Sequence, residues 1–214
     1  MNELSAKLKL KIFPTGDLEV NAYLVFDEDT KDCFLIDCPA PFNKYRDFIL
    51  DNNLNLKFLV ITHGHYDHIG GVEGLLSEFS IPFYVQKDDL PMLVNPLNNG
   101  SLTFNSHAIS IKQAPVFCED GDSIFLGEDR LKIIETPGHT LGSISLLMNN
   151  WLFSGDTLFY RSVGRTDFPF SSPKRLQKSI KDKLFKLDPK TLVYPGHGRQ
   201  TSIEEEMESN PFVE

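Results

Sequence analysis

The sequence predicts an α/β protein whose reactive groups gather along one edge of its sheets. Three observations carry that expectation. Up to Val85, short apolar, β-rich runs alternate with stretches whose apolar residues recur at helical spacing. From Arg130 onward the chain turns strand-rich again, interrupted by one amphipathic stretch. His63, His65, Asp67, His68, His139, Asp156 and His197 each follow shortly after an apolar run, usually beside a glycine.

Leu8, Leu10 and Ile12 alternate with lysines through residues 7–13, the pattern of a half-buried strand. A Gly16-Asp17 turn leads into a second strand over 20–26. A third, over 33–36, runs into Asp37-Cys38-Pro39. A carboxylate at a strand's end beside a proline is a positioned group, either the partner that holds a ligand histidine or a helix cap. Residues 42–50 read as a helix with Phe42, Tyr45 and Ile49 on one face, and 58–61 as a buried strand that Gly64 breaks. Val72, Leu75, Leu76 and Phe79 predict one helix over 69–79, with Gly70-Gly71 at its start admitting close approach. A short strand over 82–85 follows. Residues 86–127 are irregular, with a short helix around 88–94 and a loop over the site; His107 reads as a surface residue. Strands are expected at 131–135, 143–147, 151–154 and 191–194. An amphipathic helix spans 174–187, capped by Ser171 or Ser172 with Pro173 in its first turn. Glu204-Glu205-Glu206 reads as a solvated helix face.

Bulk properties narrow the function. A chain of 214 residues suffices for a single domain, 1–214, with a large core. A formal charge of −9 without a basic stripe argues against nucleic-acid partners. The basic residues of 174–190 are spaced as on one solvated helix face. No apolar run approaches the length of a membrane span, and residues 1–7 lack the charged-then-apolar pattern of a signal peptide. Three cysteines, Cys33, Cys38 and Cys118, at no zinc-ribbon spacing, point to a reducing, cytoplasmic compartment.

The chemistry centres on residues 62–71, where three of the six histidines and one carboxylate fall within six residues. Side chains two apart in extended backbone share a face, so His63 and His65 can meet one ion. Asp67 and His68 diverge as neighbours, and suit a second ion or the water between two. A merely solvated loop explains the cluster badly, because protonated imidazoles would repel one another. Ligand type and spacing point to metal. In layered α/β proteins the loops at one end of the strands form the working crevice, so His139, Asp156 and His197 are expected at the same edge. Seven ligand-type groups there make a two-ion site.

The run Thr62-His63-Gly64-His65-Tyr66-Asp67-His68, followed in order by His139, Asp156 and His197, resembles the metallo-β-lactamase superfamily. Residues 155–159, 162–169 and 194–198 are similar to its short glyoxalase II-like branch, and the match covers nearly the whole chain. The resemblance implies a four-layer αββα sandwich, two mixed β-sheets flanked by helices with metals at one edge. It also implies that His63, His65 and His139 hold one metal, that Asp67, His68 and His197 hold the other, and that Asp156 bridges both. Asp37 matches the family's acidic residue beside the site, whereas Cys38 stands where the family often has proline or a small residue. Two divalent ions are implied, zinc by default, with iron and manganese suited to the same ligands. A water between them ionises near neutral pH and becomes a nucleophile, oriented by Asp67 and Asp156. No Gly-x-Ser-x-Gly elbow is present. The implied reaction is hydrolysis of a small-molecule thioester.

Glyoxalase II proper carries a C-terminal helical domain that binds glutathione; this chain reaches Glu214 soon after His197, so that domain is not expected, and the resemblance does not carry glutathione specificity over. Arg165 either meets an anionic substrate or pairs with Asp167. Persulfide dioxygenases share the ligand frame but use a single iron, here on His63, His139 and Asp156. They tend to carry an aspartate after the last histidine, where this chain has Gly198, which favours hydrolysis. Nucleases of the superfamily carry a large extra domain or a basic exosite, and the acidic chain offers neither.

Overall fold

The computed structural model describes residues 7–213, so residues 1–6, on which the absence of a signal pattern rests, lie outside the described residues. Strands β1 (Leu8–Thr15), β2 (Val20–Asp27), β3 (Asp32–Ile36), β4 (Asn55–Val60), β5 (Phe83–Gln86) and β6 (Val116–Cys118) form one sheet in that order. The β1–β2 and β2–β3 pairs are antiparallel and the rest parallel, so the sheet is mixed. The parallel half requires crossovers, and these supply α1 (Asn43–Asp51), α2 (Tyr66–Ile69), α3 (Val72–Glu78), α4 (Leu90–Val94) and α5 (Ser101–Phe104). The second sheet begins with β7 (Ser123–Leu126), β8 (Asp129–Glu135), β9 (Ile144–Met148) and β10 (Trp151–Gly155). A hairpin of β11 (Leu158–Phe159) and β12 (Ser162–Val163) then leads to α6 (Pro173–Asp182), β13 (Leu192–Pro195), β14 (Thr201–Ser202) and α7 (Ile203–Ser209). Its strand order is β14-β13-β10-β9-β8-β7, with β10 and β13 parallel.

Side-chain alternation divides the interior into three cores. On β2 and β3, Ala22, Leu24, Cys33 and Leu35 point to the helices, where Tyr45, Ile49, Val72 and Leu75 meet them. Their neighbours Tyr23, Val25, Phe34 and Ile36 point the other way, against Leu131, Ile133, Leu146 and Phe153 of the second sheet. Behind that sheet, Leu152 and Val193 pack on Leu176, Ile180 and Ile203 of α6 and α7. Strands buried on both faces read as near-continuous apolar runs, which is why β2 and β3 were visible in the sequence. The layers are helix, sheet, sheet and helix. Among the described residues, no helix is long and apolar enough to cross a membrane.

Four expectations need correction. In β1 the buried face changes midway: Leu8 and Leu10 face the inter-sheet core, Ile12 is exposed, and Phe13 is buried against the helices. β1 is an edge strand, so neither face is covered along its whole length. The helix over 69–79 is two helices, because the His68 carbonyl accepts from Cys38 N (2.8 Å) and Gly71 N donates to the Cys38 carbonyl (2.7 Å) instead of continuing the helical ladder. The stretch 86–127 contains β6 and β7, where apolar Val116, Phe117 and Phe125 are exposed, so the apolar residues give no period. Glu206 is buried, not solvated: it accepts from Thr201 Oγ1 (2.6 Å), the Arg161 amide (2.9 Å) and Asn210 Nδ2 (2.7 Å).

Candidate metal centre

Strands β3, β4 and β5 end at the same edge as β8, β10 and β13, and the loops beyond them carry the reactive groups. β3 delivers Asp37; β4 delivers His63, His65, Asp67 and His68; β8, β10 and β13 deliver His139, Asp156 and His197. All seven predicted side chains converge. His63, His65 and His139 offer nitrogens within 4.8 Å of one another; so do ligand atoms of Asp67, His68 and His197, and of His63, His68 and Asp156. Asp156 Oδ2 lies 3.6 Å from His139 Nε2 and 3.5 Å from His197 Nε2, between the first two groups.

Ring tautomers follow from the outer partners. His139 Nδ1 faces the Arg165 carbonyl (2.8 Å) and His197 Nδ1 the Leu18 carbonyl (2.9 Å). Carbonyl oxygens only accept, so each Nδ1 carries the proton and each Nε2 turns a lone pair inward. His68 Nδ1 donates to Asp37 Oδ2 (2.8 Å). Thr62 Oγ1 also donates to that oxygen (2.8 Å), which commits its hydrogen and leaves its oxygen to accept from His63 Nδ1 (3.1 Å). Asp37 thus holds His68 directly and His63 through Thr62. It is fixed in turn by the Thr62 amide on Oδ1 (2.8 Å).

Fit to a cation can be judged from the atoms left over. Among the described residues, His63 Nε2 and Asp156 Oδ1 are buried in this cluster without a hydrogen-bond partner. A buried acceptor left so costs about 1–3 kcal/mol, which a cation at the centre would relieve. Imidazoles whose Nδ1 atoms are engaged outward, together with two carboxylates, are the donor set that a divalent ion takes. The residues fit.

Electrostatics differ across the site. Burial, with His68 next, pushes the His63 pKa well below its ordinary value, and burial with His139 takes His65 down to about 3. At Asp156 burial works upward, but the imidazoles, His68 foremost, outweigh it and hold the carboxyl well below the usual range. At His68 burial works downward, yet Asp37, Asp156 and Asp67 carry the pKa well above its ordinary value.

Glycines beside these groups mark close approach. A Cβ on Gly196 would stand 2.2 Å from Asp156 Oδ1, and one on Gly164 would stand 1.8 Å from the Asp156 carbonyl oxygen. No side chain fits there.

Arg165 pairs with Asp167 (2.7 Å) in solvent and lies over the Phe168 ring, while its carbonyl, not its guanidinium, supports His139. Cys38 also contributes only backbone; its buried thiol, near Tyr45 Oη (3.3 Å), is pushed up to about 12 by burial. His107 is exposed, as expected. The sequence reading passed over Asp89, which is buried and accepts from Gly64 N (2.8 Å), Gly142 N (2.7 Å) and Thr140 Oγ1 (2.8 Å). The rule that found Asp37, a carboxylate shortly after a strand, would have found it too.

A family model described as the metallo-beta-lactamase superfamily matches residues 15–197. The chain belongs to that superfamily. Hydroxyacylglutathione hydrolase GloC of Haemophilus influenzae is 31% identical over 209 residues, covering 96% of this chain and 98% of that protein. The mitochondrial persulfide dioxygenase ETHE1 of Homo sapiens is 34% identical over 197 residues, covering 88% of this chain and 69% of that protein. Among solved structures, the BLEG-1 B3 metallo-β-lactamase superposes with a TM-score of 0.91 at 33% identity, covering 96% of this chain and 99% of the other. TTHA1623 in a di-iron-bound form superposes with a TM-score of 0.82 at 32% identity, covering 95% and 100%. The sandwich implied by the sequence resemblance is the fold of these superfamily members.

Proposed function

We propose that this chain is a hydrolase of small thioesters that works with two divalent metal ions, zinc by default. His63, His65 and His139 would hold one ion, Asp67, His68 and His197 the other, with Asp156 shared. The observation that carries this reading is the carboxylate of Asp156, which faces His139 and His197 at 3.6 and 3.5 Å. A shared ion pair needs a carboxylate so placed. When bound, such a pair supplies a water acidified to near neutrality and a Lewis acid for the scissile carbonyl. The chain's own part is orientation. At Asp67, as at Asp156, burial works upward on the pKa but the imidazoles, His68 foremost, hold it low, so both carboxylates stay ionised and can accept hydrogen bonds from that water. Arg165 and Cys38 take no part in bond making, the first being committed to Asp167 and the second a buried, neutral thiol.

The thioester is supported by likeness to the hydroxyacylglutathione hydrolase over nearly the full length of both proteins. The formal charge of −9 speaks for a small-molecule substrate over nucleic acid. Three free, buried cysteines support a reducing, cytoplasmic setting. The second reading, a single-iron persulfide dioxygenase, is favoured by the human relative. It would use His63, His139 and Asp156 and leave Asp67, His68 and His197 idle. To decide, metals are counted in protein purified without added metal, and thioester hydrolysis and oxygen uptake are assayed in parallel. Two ions per chain with hydrolysis support the proposal; one iron, oxygen consumption and sulfite overturn it in favour of the dioxygenase.

A further inference from the structure

We propose that Asp89 is a positioning residue for the three-histidine cluster, setting the gap between the loop that carries His63 and His65 and the loop that carries His139. This rests on the metal reading above. Gly64 lies between His63 and His65, and its amide donates to Asp89 Oδ2 (2.8 Å). Thr140 follows His139, and its hydroxyl donates to the same oxygen (2.8 Å). Gly142, two residues further, donates its amide to Oδ1 (2.7 Å). One carboxylate therefore grips both loops, and it is fully buried. The distance it governs is the one between His65 Nδ1 and His139 Nε2, 2.9 Å.

Sterics agree. A Cβ on Gly142 would stand 2.7 Å from Asp89 N and 2.9 Å from its Cβ and Cγ, so this loop lies flush on the aspartate. Asp89 has no hydrogen bond to an imidazole; it acts through backbone and one hydroxyl. The grip needs two acceptors. An amide isostere supplies one, so in Asp89→Asn the new –NH2 must oppose either the Gly142 amide or the Gly64 amide, since of the three donors only the Thr140 hydroxyl can turn to accept. Whichever loop is opposed moves away, and the two imidazoles separate. The second cluster is not attached to Asp89 and should not respond.

The test uses cobalt(II) alone, titrated into metal-free protein and followed by its visible spectrum. Two backgrounds isolate the clusters: His197→Ala leaves the three-histidine group, and His65→Ala leaves the Asp67–His68–His197 group. Adding Asp89→Asn should weaken cobalt binding about 10–100-fold in the first background and less than about twofold in the second. A merely structural role would weaken both alike. If Asp89→Asn does not fold by circular dichroism, Thr140→Val, which deletes one donor, takes its place. It should cost about two- to tenfold in the first background only. Equal losses, or none, in protein whose wild type binds cobalt at both clusters overturn the clamp and leave the functional reading standing. A wild type that binds no cobalt overturns the functional reading and the clamp with it.

Discussion

His63, His65 and His139 face one another as three imidazoles, with Asp156 on one side only. His68 and His197 share their corner with Asp67, whose Oδ2 is 3.8 Å from His68 Nε2 and 3.4 Å from His197 Nε2. Burial dominates in the first group and lowers the pKa of His63 and His65. In the second, burial also works downward, but carboxylates win and both histidines rise, Asp37 leading at His68 and Asp67 at His197. The bracing differs as well: Asp37 touches His68 itself, whereas Asp89 reaches the first group only through loop backbone and a hydroxyl. The lesson is that a cation entering the first group meets imidazoles facing imidazoles, while one entering the second meets imidazoles already set among carboxylates.

Breaking the element common to both groups should have the largest effect. Asp156→Asn removes the shared negative charge, and turnover should fall by about three orders of magnitude with both ions bound more weakly. A variant that loses one ion and keeps the other at full affinity would mean that Asp156 serves one group alone. Asp37→Asn sharpens the contrast. It should weaken metal at the Asp67–His68–His197 group about 10–100-fold and the other group less, since His63 is reached only through Thr62. Equal losses, read by titrating each group separately, would erase the distinction. The smallest effect belongs to a side chain outside both groups. Arg165→Ala should leave kcat and KM within about twofold, because its guanidinium is engaged with Asp167 in solvent. A selective rise in KM would instead assign it to an anionic substrate.

Legibility in the sequence followed periodicity and side-chain chemistry. The ligand-type residues were visible because each sits where a two-faced apolar strand stops, and imidazoles there have no packing role. Gly196 and Gly164 were visible only as neighbours; the reason for them, contact with Asp156, is three-dimensional. Asp89, three residues past β5, was within reach of the same rule as Asp37; what no motif records is its role, because two of its partners are backbone amides 25 and 53 residues away. Strands β6 and β7 were missed because sheet-edge strands with exposed Val116, Phe117 and Phe125 carry no alternation. Glu206 looked like part of a charged run, since only the fold brings the Arg161 amide and Asn210 to it.

The bond from His197 Nδ1 to the Leu18 carbonyl spans 179 residues and ties the last ligand-type residue to the turn between the first two strands. The Asn21 amide reinforces it by donating to the Gly196 carbonyl (2.8 Å). On a ribosome, the three-histidine group is encoded long before this closure becomes available. The mixed group must wait until residue 197 has emerged and returned to the opening hairpin. Chain order and spatial order thereby differ: the corner that holds the last-encoded of these groups is closed by the turn encoded first.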